Sequence, residues 1–314
     1  MQPMVKSLFG FGSSTTIDVE FGDQASIQRV PVKDLSDLNS KVELPLFMNL
    51  DNITGVVHVK IRPGKKLEHQ GIKIELIGQV ELTQERGTPK YVFLSLLKEL
   101  EQPGEMTNSK SYKFEFSHVE KQYESYRGRN ARLRYFVRVK IPRQYATSIT
   151  KEFDFAVQNI IEAPEINNSI KMEVGIEDCL HIEFEYDKDK YHLNDVVIGK
   201  IYFLLVRIKI KQMELQILRR ETIGVGTNVH NDTEVLGKYE IMDGAPVRGE
   251  CVPVRLFMEA YDLSPTMKDV YNKFSVRYFL NLVLIDEEDR RYFKQHEIQI
   301  WRQDRQSNTG VAAS

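Results

Sequence analysis

The chain has 314 residues, of which 41% are hydrophobic, 28% charged and 10% aromatic, the composition of an ordinary soluble globular protein and not of a disordered or fibrous one. Its formal net charge of −2 supplies no global attraction to nucleic acid or to acidic lipid. The longest uninterrupted apolar run, Ile201 to Val206, falls far short of the roughly 20 residues that a helix needs to cross a bilayer.

A chain of this length is expected to form two domains, because single cores rarely grow much beyond ~150 to 200 residues. Met1 to Thr16 carries one Lys and too short an apolar core for a secretory signal, so a cytoplasmic location is expected. Cys179 and Cys251 are the only cysteines, too few for the disulfide framework of a secreted domain, and read as two reduced, packing residues.

Along the chain, Ile17, Val19 and Phe21 alternate with Asp18 and Glu20, the period-2 pattern of a strand with one buried face. Lys60, Arg62, Lys65 and Lys66 surround Pro63-Gly64 and read as a solvated turn. Tyr91 to Leu100 places Phe93, Leu96, Leu97 and Leu100 at helical spacing, and its type stays open. Leu133, Tyr135, Val137, Val139 and Ile141 form a strict ladder. The outward residues of that ladder, Arg132, Arg134, Arg138 and Lys140, make a basic stripe. Such a stripe can read a phosphate. Pairing with Glu152 and Asp154 of the next ladder, Phe153-Phe155-Val157, is the plainer account.

Glu162 to Asn168 is polar and interrupted by Pro164, which marks a linker and divides the chain into domains 1–162 and 163–302, followed by a flexible polar tail, 303–314. In the second half, Ile182, Phe184 and Tyr186 share one strand face and His181, Glu183 and Glu185 the other. The polar set reads as a solvent-facing stripe, without metal. Gly224-Val225-Gly226 is an isolated glycine pair in a long polar stretch, Thr222 to Lys238, with neither a Walker lysine nor a strand-turn-helix setting. Ile241 and Met242 then run into Asp243-Gly244. Strand alternation lets only one of them face inward, so a large apolar group is expected at a loop tip, where it marks a contact site. Asp286-Glu287-Glu288-Asp289 lacks the Gly and spaced oxygen ligands of an EF-hand and reads as a charged hairpin. In the last ladder, inward Ile298 and Ile300 would put Phe293 outside together with Trp301, whereas the opposite register or a bulge would bury Phe293.

The two halves resemble each other. Arg134-Tyr135-Phe136 recurs as Arg277-Tyr278-Phe279, Gly55 as Gly199, Glu75-Leu76 as Glu214-Leu215 and Gly104-Glu105 as Gly249-Glu250, in order and about 140 residues apart, which marks a duplicated all-β unit. Short strands separated by Gly, Pro, Asn and Asp turns indicate sandwiches and not a parallel α/β sheet. No nucleophile-elbow serine and no convincing Cys-His partnership is present, so no enzyme and no cofactor are expected.

Longer strings are recognisable as wholes. Asn167 to Tyr186, Gly199 to Arg207, Tyr239 to Pro246 and Phe274 to Phe293, with Pro63 to Ile72 and Tyr123 to Tyr126 in the first half, resemble the arrestin-like small subunit of the endosomal retromer complex, the vacuolar protein sorting subunit twenty-six family. The resemblance covers roughly residues 55 to 302. It implies an all-β fold of two arrestin-like β-sandwich domains, no enzymatic activity, and a role in retrieving membrane-protein cargo from endosomes to the Golgi or plasma membrane. It further implies a peripheral, indirect association with the endosome membrane. The implied partners are a helical-solenoid scaffold subunit, through it a metallophosphoesterase-like subunit, sorting nexins and the cytoplasmic tails of cargo receptors. Carried onto this chain, Ile241, Met242, Asp243 and Gly244 correspond to the scaffold contact, and Val174 and Phe293 to the place where cargo is held with a sorting nexin. A signalling arrestin that senses phosphorylation through Arg132, Arg134 and Arg138 is the main alternative.

Overall fold

A computed structural model of the chain describes residues 14–22, 26–33, 40–83, 87–176, 178–224 and 229–303. Most of the expected polar tail, the beginning of the N-terminal segment and Val225-Gly226 lie outside them. The regular secondary structure of the described residues is nearly all strand, and the one helical element is a 3-10 turn at Met258–Ala260. No helix among them is long and apolar enough to cross a membrane.

The chain divides into two compact units, made mostly of residues up to Gln158 and from Asn159 onward. In chain order the first holds β1 (Thr15–Phe21), β2 (Arg29–Lys33), β3 (Lys41–Met48), β4 (Ile53–Ile61), β5 (Leu67–His69), β6 (Ile72–Leu82), β7 (Lys90–Glu101), β8 (Gly104–Met106), β9 (Lys110–Phe116), β10 (Tyr126–Arg127), β11 (Ala131–Ile141) and β12 (Ile149–Gln158). The second holds β13 (Ile170–Ile176), β14 (Leu180–Tyr186), β15 (Lys190–His192), β16 (Val196–Val206), β17 (Ile210–Ile223), β18 (His230–Asp243), β19 (Cys251–Phe257), β20 (Met267–Val270), β21 (Phe274–Asp286) and β22 (Arg291–Trp301).

Each unit pairs a small sheet with a large one. In the first, β1-β4-β9 forms the small sheet and β2-β3-β12-β11-β6-β7 the large one. In the second, the small sheet is β13-β14-β16-β19 and the large one β15-β22-β21-β17-β18. Phe21 of the first small sheet meets Phe47 and Phe155 of its large sheet at centroid distances of 6.0 and 5.6 Å, the interdigitated inner layer of a sandwich. The fold is all-β, two arrestin-like β-sandwiches, as expected.

The repeat seen in the sequence is a repeat of structure. Every apolar residue of the ladders in β11 and β21 is buried. Tyr135 and Tyr278 hold equivalent places, and each pins a neighbouring loop. The Tyr135 hydroxyl donates to the Tyr123 carbonyl at 2.9 Å, and the Tyr278 oxygen accepts from the Ser264 backbone N–H at 3.0 Å. Gly55 and Gly199 also match. A Cβ on Gly55 would lie 2.3 Å from the Glu20 carbonyl oxygen and 2.8 Å from the Phe114 ring. On Gly199 it would lie 2.5 Å from the Glu185 carbonyl and 2.7 Å from the Tyr186 ring. Close approach of a neighbouring strand therefore demands glycine twice.

Four local readings are settled or corrected. Tyr91 to Leu100 is part of β7, the edge strand of the first large sheet, and Leu97 on it is 65% exposed. The stretch Thr222 to Lys238 is mostly not a loop, because β17 and β18 run through it as a hairpin. Trp301, expected outside, is buried, since β15 adds in parallel beside the end of β22 and sets His192 edge-on to the indole at 5.9 Å. Both cysteines are free, but Cys251 is exposed and does not pack.

Candidate functional site

Ile241 and Met242 close β18, the edge strand of the second large sheet. Met242 pairs with Met213 and Glu240 with Glu214, and the register shift between them leaves Ile241 as the extra residue of a β-bulge. A bulge cancels the alternation rule, so neither side chain is forced fully inward and both are half-buried. Asp243 and Gly244 follow, exposed, with Gly244 at φ +108° donating its N–H to the Lys211 carbonyl at 2.8 Å. That φ lies where glycine is at home. Pro246 is buried under the turn while Val247 stands out at 66% exposure. Val247 was not singled out in the sequence, and no periodic signal surrounds it.

The neighbouring hairpin braces this end of the sheet. Asp286 is buried and accepts from the backbone N–H groups of Glu288 and Arg290, from Arg290 Nε at 2.7 Å and from the Tyr292 hydroxyl at 3.0 Å. Burial pushes its carboxyl up, but the Arg290 guanidinium and these hydrogen bonds outweigh that and hold it below the usual carboxylate range. The acidic run is thus a charged hairpin, as expected. Lys211 reaches Asp289 at 3.0 Å and Lys209 reaches Glu287 at 3.4 Å, tying β17 to the same turn.

Phe293 lies on the outer face of β22 at 65% exposure, opposite Val283 of β21. Ile298 and Ile300 face the core, so the register with Phe293 outside is the one adopted. β15 pairs only with the last three residues of β22, Gln299 to Trp301, which leaves β22 from Arg291 to Ile298 paired on one side alone. Val174 is half-buried on β13, the edge strand of the small sheet, opposite Ile182. The two segments share a concavity of about 490 Å³ in which Met172 and Glu173, beside Val174, line one part and Lys294, beside Phe293, another. Lys294 drew no attention in the sequence, because the concavity joins strands remote along the chain.

The three arginines of the basic stripe of β11 are engaged, while Lys140 is exposed opposite Thr150. Arg134 pairs with Asp154 and with Glu152 at 3.0 Å, Arg132 with Asp154 at 2.9 Å, and Arg138 with Glu152 at 2.9 Å and Glu75 at 3.3 Å. The Arg134 guanidinium also stacks on the Phe136 ring at 3.9 Å. Burial pushes the Glu152 carboxyl up, yet Arg138 and Arg134 hold it below its ordinary range. The acidic residues on β12 supply the counter-charges that a phosphate would otherwise bring.

Comparison with known proteins agrees with this architecture. The family model "Vacuolar protein sorting-associated protein 26" matches residues 11–289. The chain is similar to Vacuolar protein sorting-associated protein 26B-B of Xenopus laevis, 57% identical over 297 residues, or 94% of this chain and 87% of that protein. It is similar at 56% identity to the 26B proteins of Danio rerio, covering 94% of this chain and 88% of that one, and of Homo sapiens, covering 94% and 87%. With the family model spanning most of both sandwiches, the chain belongs to the vacuolar protein sorting-associated protein 26 family, a family of protein-sorting subunits.

Proposed function

We propose that this chain is a non-catalytic adaptor subunit of retromer that acts on the cytoplasmic side of the endosome membrane, bound there through its partners. Its domains are 1–162 and 163–302. Ile241, Met242, Asp243 and Gly244 anchor the second domain to the helical-solenoid scaffold, and through that scaffold to the metallophosphoesterase-like subunit. Val174 and Phe293 hold the cytoplasmic tail of a cargo receptor together with a sorting nexin, for retrieval to the Golgi or plasma membrane.

The observation that carries this reading is the bulged end of β18. Two large apolar side chains there are half-buried, on a sheet edge, ahead of an exposed Asp-Gly turn, an arrangement that displays apolar surface at a fixed place. For cargo, the support is the one-sided pairing of β22 from Arg291 to Ile298. An extended peptide can add to such an edge by main-chain hydrogen bonds, with an apolar anchor beside Phe293. The paired state of Arg132, Arg134 and Arg138 weighs against the phosphate-sensing alternative.

The test is a pull-down of the solenoid subunit by the folded Ile241→Asp, Met242→Asp variant. Loss of a hot spot worth ~2–4 kcal/mol weakens binding about 30-fold to 1000-fold. Undiminished capture by a variant with the native melting temperature would refute the scaffold assignment.

A further inference from the structure

β13 and β14 set Lys171 opposite Glu185, and one step along the same outer face they set Glu173 opposite Glu183. The first pair is complementary, its charges 3.5 Å apart. The second is a like-charge pair, which is unfavourable across antiparallel strands. Among the described residues no lysine or arginine forms an ion pair with either glutamate. On its other side Glu183 faces Tyr202 of β16, and among the described residues Glu183 makes no hydrogen bond or ion pair.

The basic group beside this pair is His181. Its Nε2 lies 3.7 Å from Glu173 Oε2, beyond hydrogen-bond reach. That nitrogen is closed off from solvent and has no hydrogen-bond partner. The register between β14 and β16 shifts at His181/Ile182, and a bulge of this kind re-aims a side chain. One donor atom each from Glu173, His181 and Glu183 lies within 4.8 Å of the others. Around a tetrahedral ion with bonds of about 2.1 Å, donor atoms stand ~3.4 Å apart, which small rotations of two glutamate side chains supply.

We propose that Glu173, His181 and Glu183 bind a divalent transition-metal ion, zinc being the best match, with water completing its shell. One imidazole nitrogen and two carboxylates suit zinc, whereas calcium and magnesium take oxygen donors. The ion removes the like-charge conflict and ties β13 to β14. The sequence grouping of His181, Glu183 and Glu185 missed this set because Glu185 is already held by Lys171, and Glu173 arrives from the neighbouring strand. Glu173 and Glu183 line the same concavity as the residues beside Val174 and Phe293, but the metal assignment does not rest on the sorting role.

The test uses the full chain carrying Cys251→Ser, to remove an exposed thiol, after chelator treatment and dialysis. Titration calorimetry with zinc is expected to show one ion per chain and a raised melting temperature, with no response to calcium or magnesium. Cobalt should give the visible absorption of a low-coordinate site. Glu173→Gln and His181→Asn should each weaken zinc binding about tenfold or more, and acid should weaken it too, because a ligating imidazole must be neutral. Glu183→Gln should raise the melting temperature of the metal-free chain while abolishing the rise caused by zinc. Absence of saturable zinc binding, binding indifferent to His181→Asn, or a metal-free chain destabilised by Glu183→Gln would each overturn the assignment.

Discussion

The two sandwiches share a plan and differ in how they finish it. β1-β4-β9 corresponds to β14-β16-β19, and β3-β12-β11-β6-β7 to β15-β22-β21-β17-β18, down to a parallel join in each, β3 with β12 and β15 with β22. The first unit adds β2 to its large sheet and the second adds β13 to its small one. The outer faces differ more sharply. Arg138 opposite Glu152 in the first unit corresponds to Asn281 opposite Gln295 in the second, and Lys140 opposite Thr150 to Val283 opposite Phe293. The Arg138–Glu152 ion pair has been exchanged for neutral amides, and Lys140 with Thr150 for an apolar pair. A surface whose charges satisfy one another has little left to offer a partner. The second unit leaves an apolar group uncovered at the same place in the same scaffold, which is where a partner gains most from contact.

The largest test of this equivalence is at the paired glycines. Gly55→Ala and Gly199→Ala each push a methyl against a backbone carbonyl, at 2.3 and 2.5 Å, and a strand cannot yield as a flexible side chain does. Each is expected to cost about 3 kcal/mol by denaturant unfolding. A cost confined to one of the two would break the structural match. The tyrosine pair comes next. Tyr135→Phe removes one loop-pinning hydrogen bond and Tyr278→Phe removes two, to the N–H and the hydroxyl of Ser264, so they should cost about 1 and about 2 kcal/mol in the same assay.

The ladders were legible because alternation is a property of the strand itself: Leu133 to Ile141 and Val276 to Leu284 bury the residues that period 2 selects. What alternation cannot carry is a bulge or a remote neighbour. β7 has register shifts at Ile72/Lys73 and Gly78/Gln79 of its partner β6, and the Phe93 ring occupies the space where a Gly78 side chain would stand. Its apolar residues therefore fall at spacings that imitate a helix. The bulge at Ile241 defeats the one-in, one-out argument for Met242 in the same way. Trp301 is buried by β15, a strand more than one hundred residues earlier, and no local pattern around Trp301 announces it. Of the two registers the sequence left open for Phe293, the regular pairing of β22 with β21 adopts the one that puts it outside. Val174 came only from the family resemblance, since a half-buried valine on an edge strand has the local signature of core.

A smaller effect separates the two outer faces by their response to acid. Glu152 is held below the ordinary carboxylate range by Arg138 and Arg134 against the opposing effect of burial. A group whose folded pKa is depressed adds stability above its unfolded pKa, near 4.3 for glutamate, and loses it as the pH falls through the lower folded value. Glu152→Gln should therefore cost less than ~1 kcal/mol at pH 7, given its partial exposure, and should flatten the decline of stability below about pH 4. The second unit already has an amide at the matching position, Gln295, and Gln295→Asn should leave the acid response unchanged. An unaltered acid slope in Glu152→Gln would show that the arginines bind Glu152 no better folded than unfolded.

The smallest effect on stability is expected where the proposed effect on function is large. Phe293 stands opposite Val283 in the strand register but keeps 65% of its surface in solvent, so little apolar area leaves water when the chain folds. Phe293→Ser should change unfolding free energy by no more than about 0.5 kcal/mol, the range of an ordinary surface substitution. Binding of a cargo tail presented with its sorting nexin should fall in the same variant, because under the proposed contact the ring is buried by the partner. The matched control is Thr150→Ser in the first unit, the same position on the same strand of the plan, which should alter neither quantity. If Phe293→Ser instead destabilises the fold by the 2 kcal/mol or more typical of a core truncation, the ring belongs to the interior of its own sandwich. The exchange of Lys140 and Thr150 for Val283 and Phe293 would then be a repacking of the sheet and not an uncovered contact.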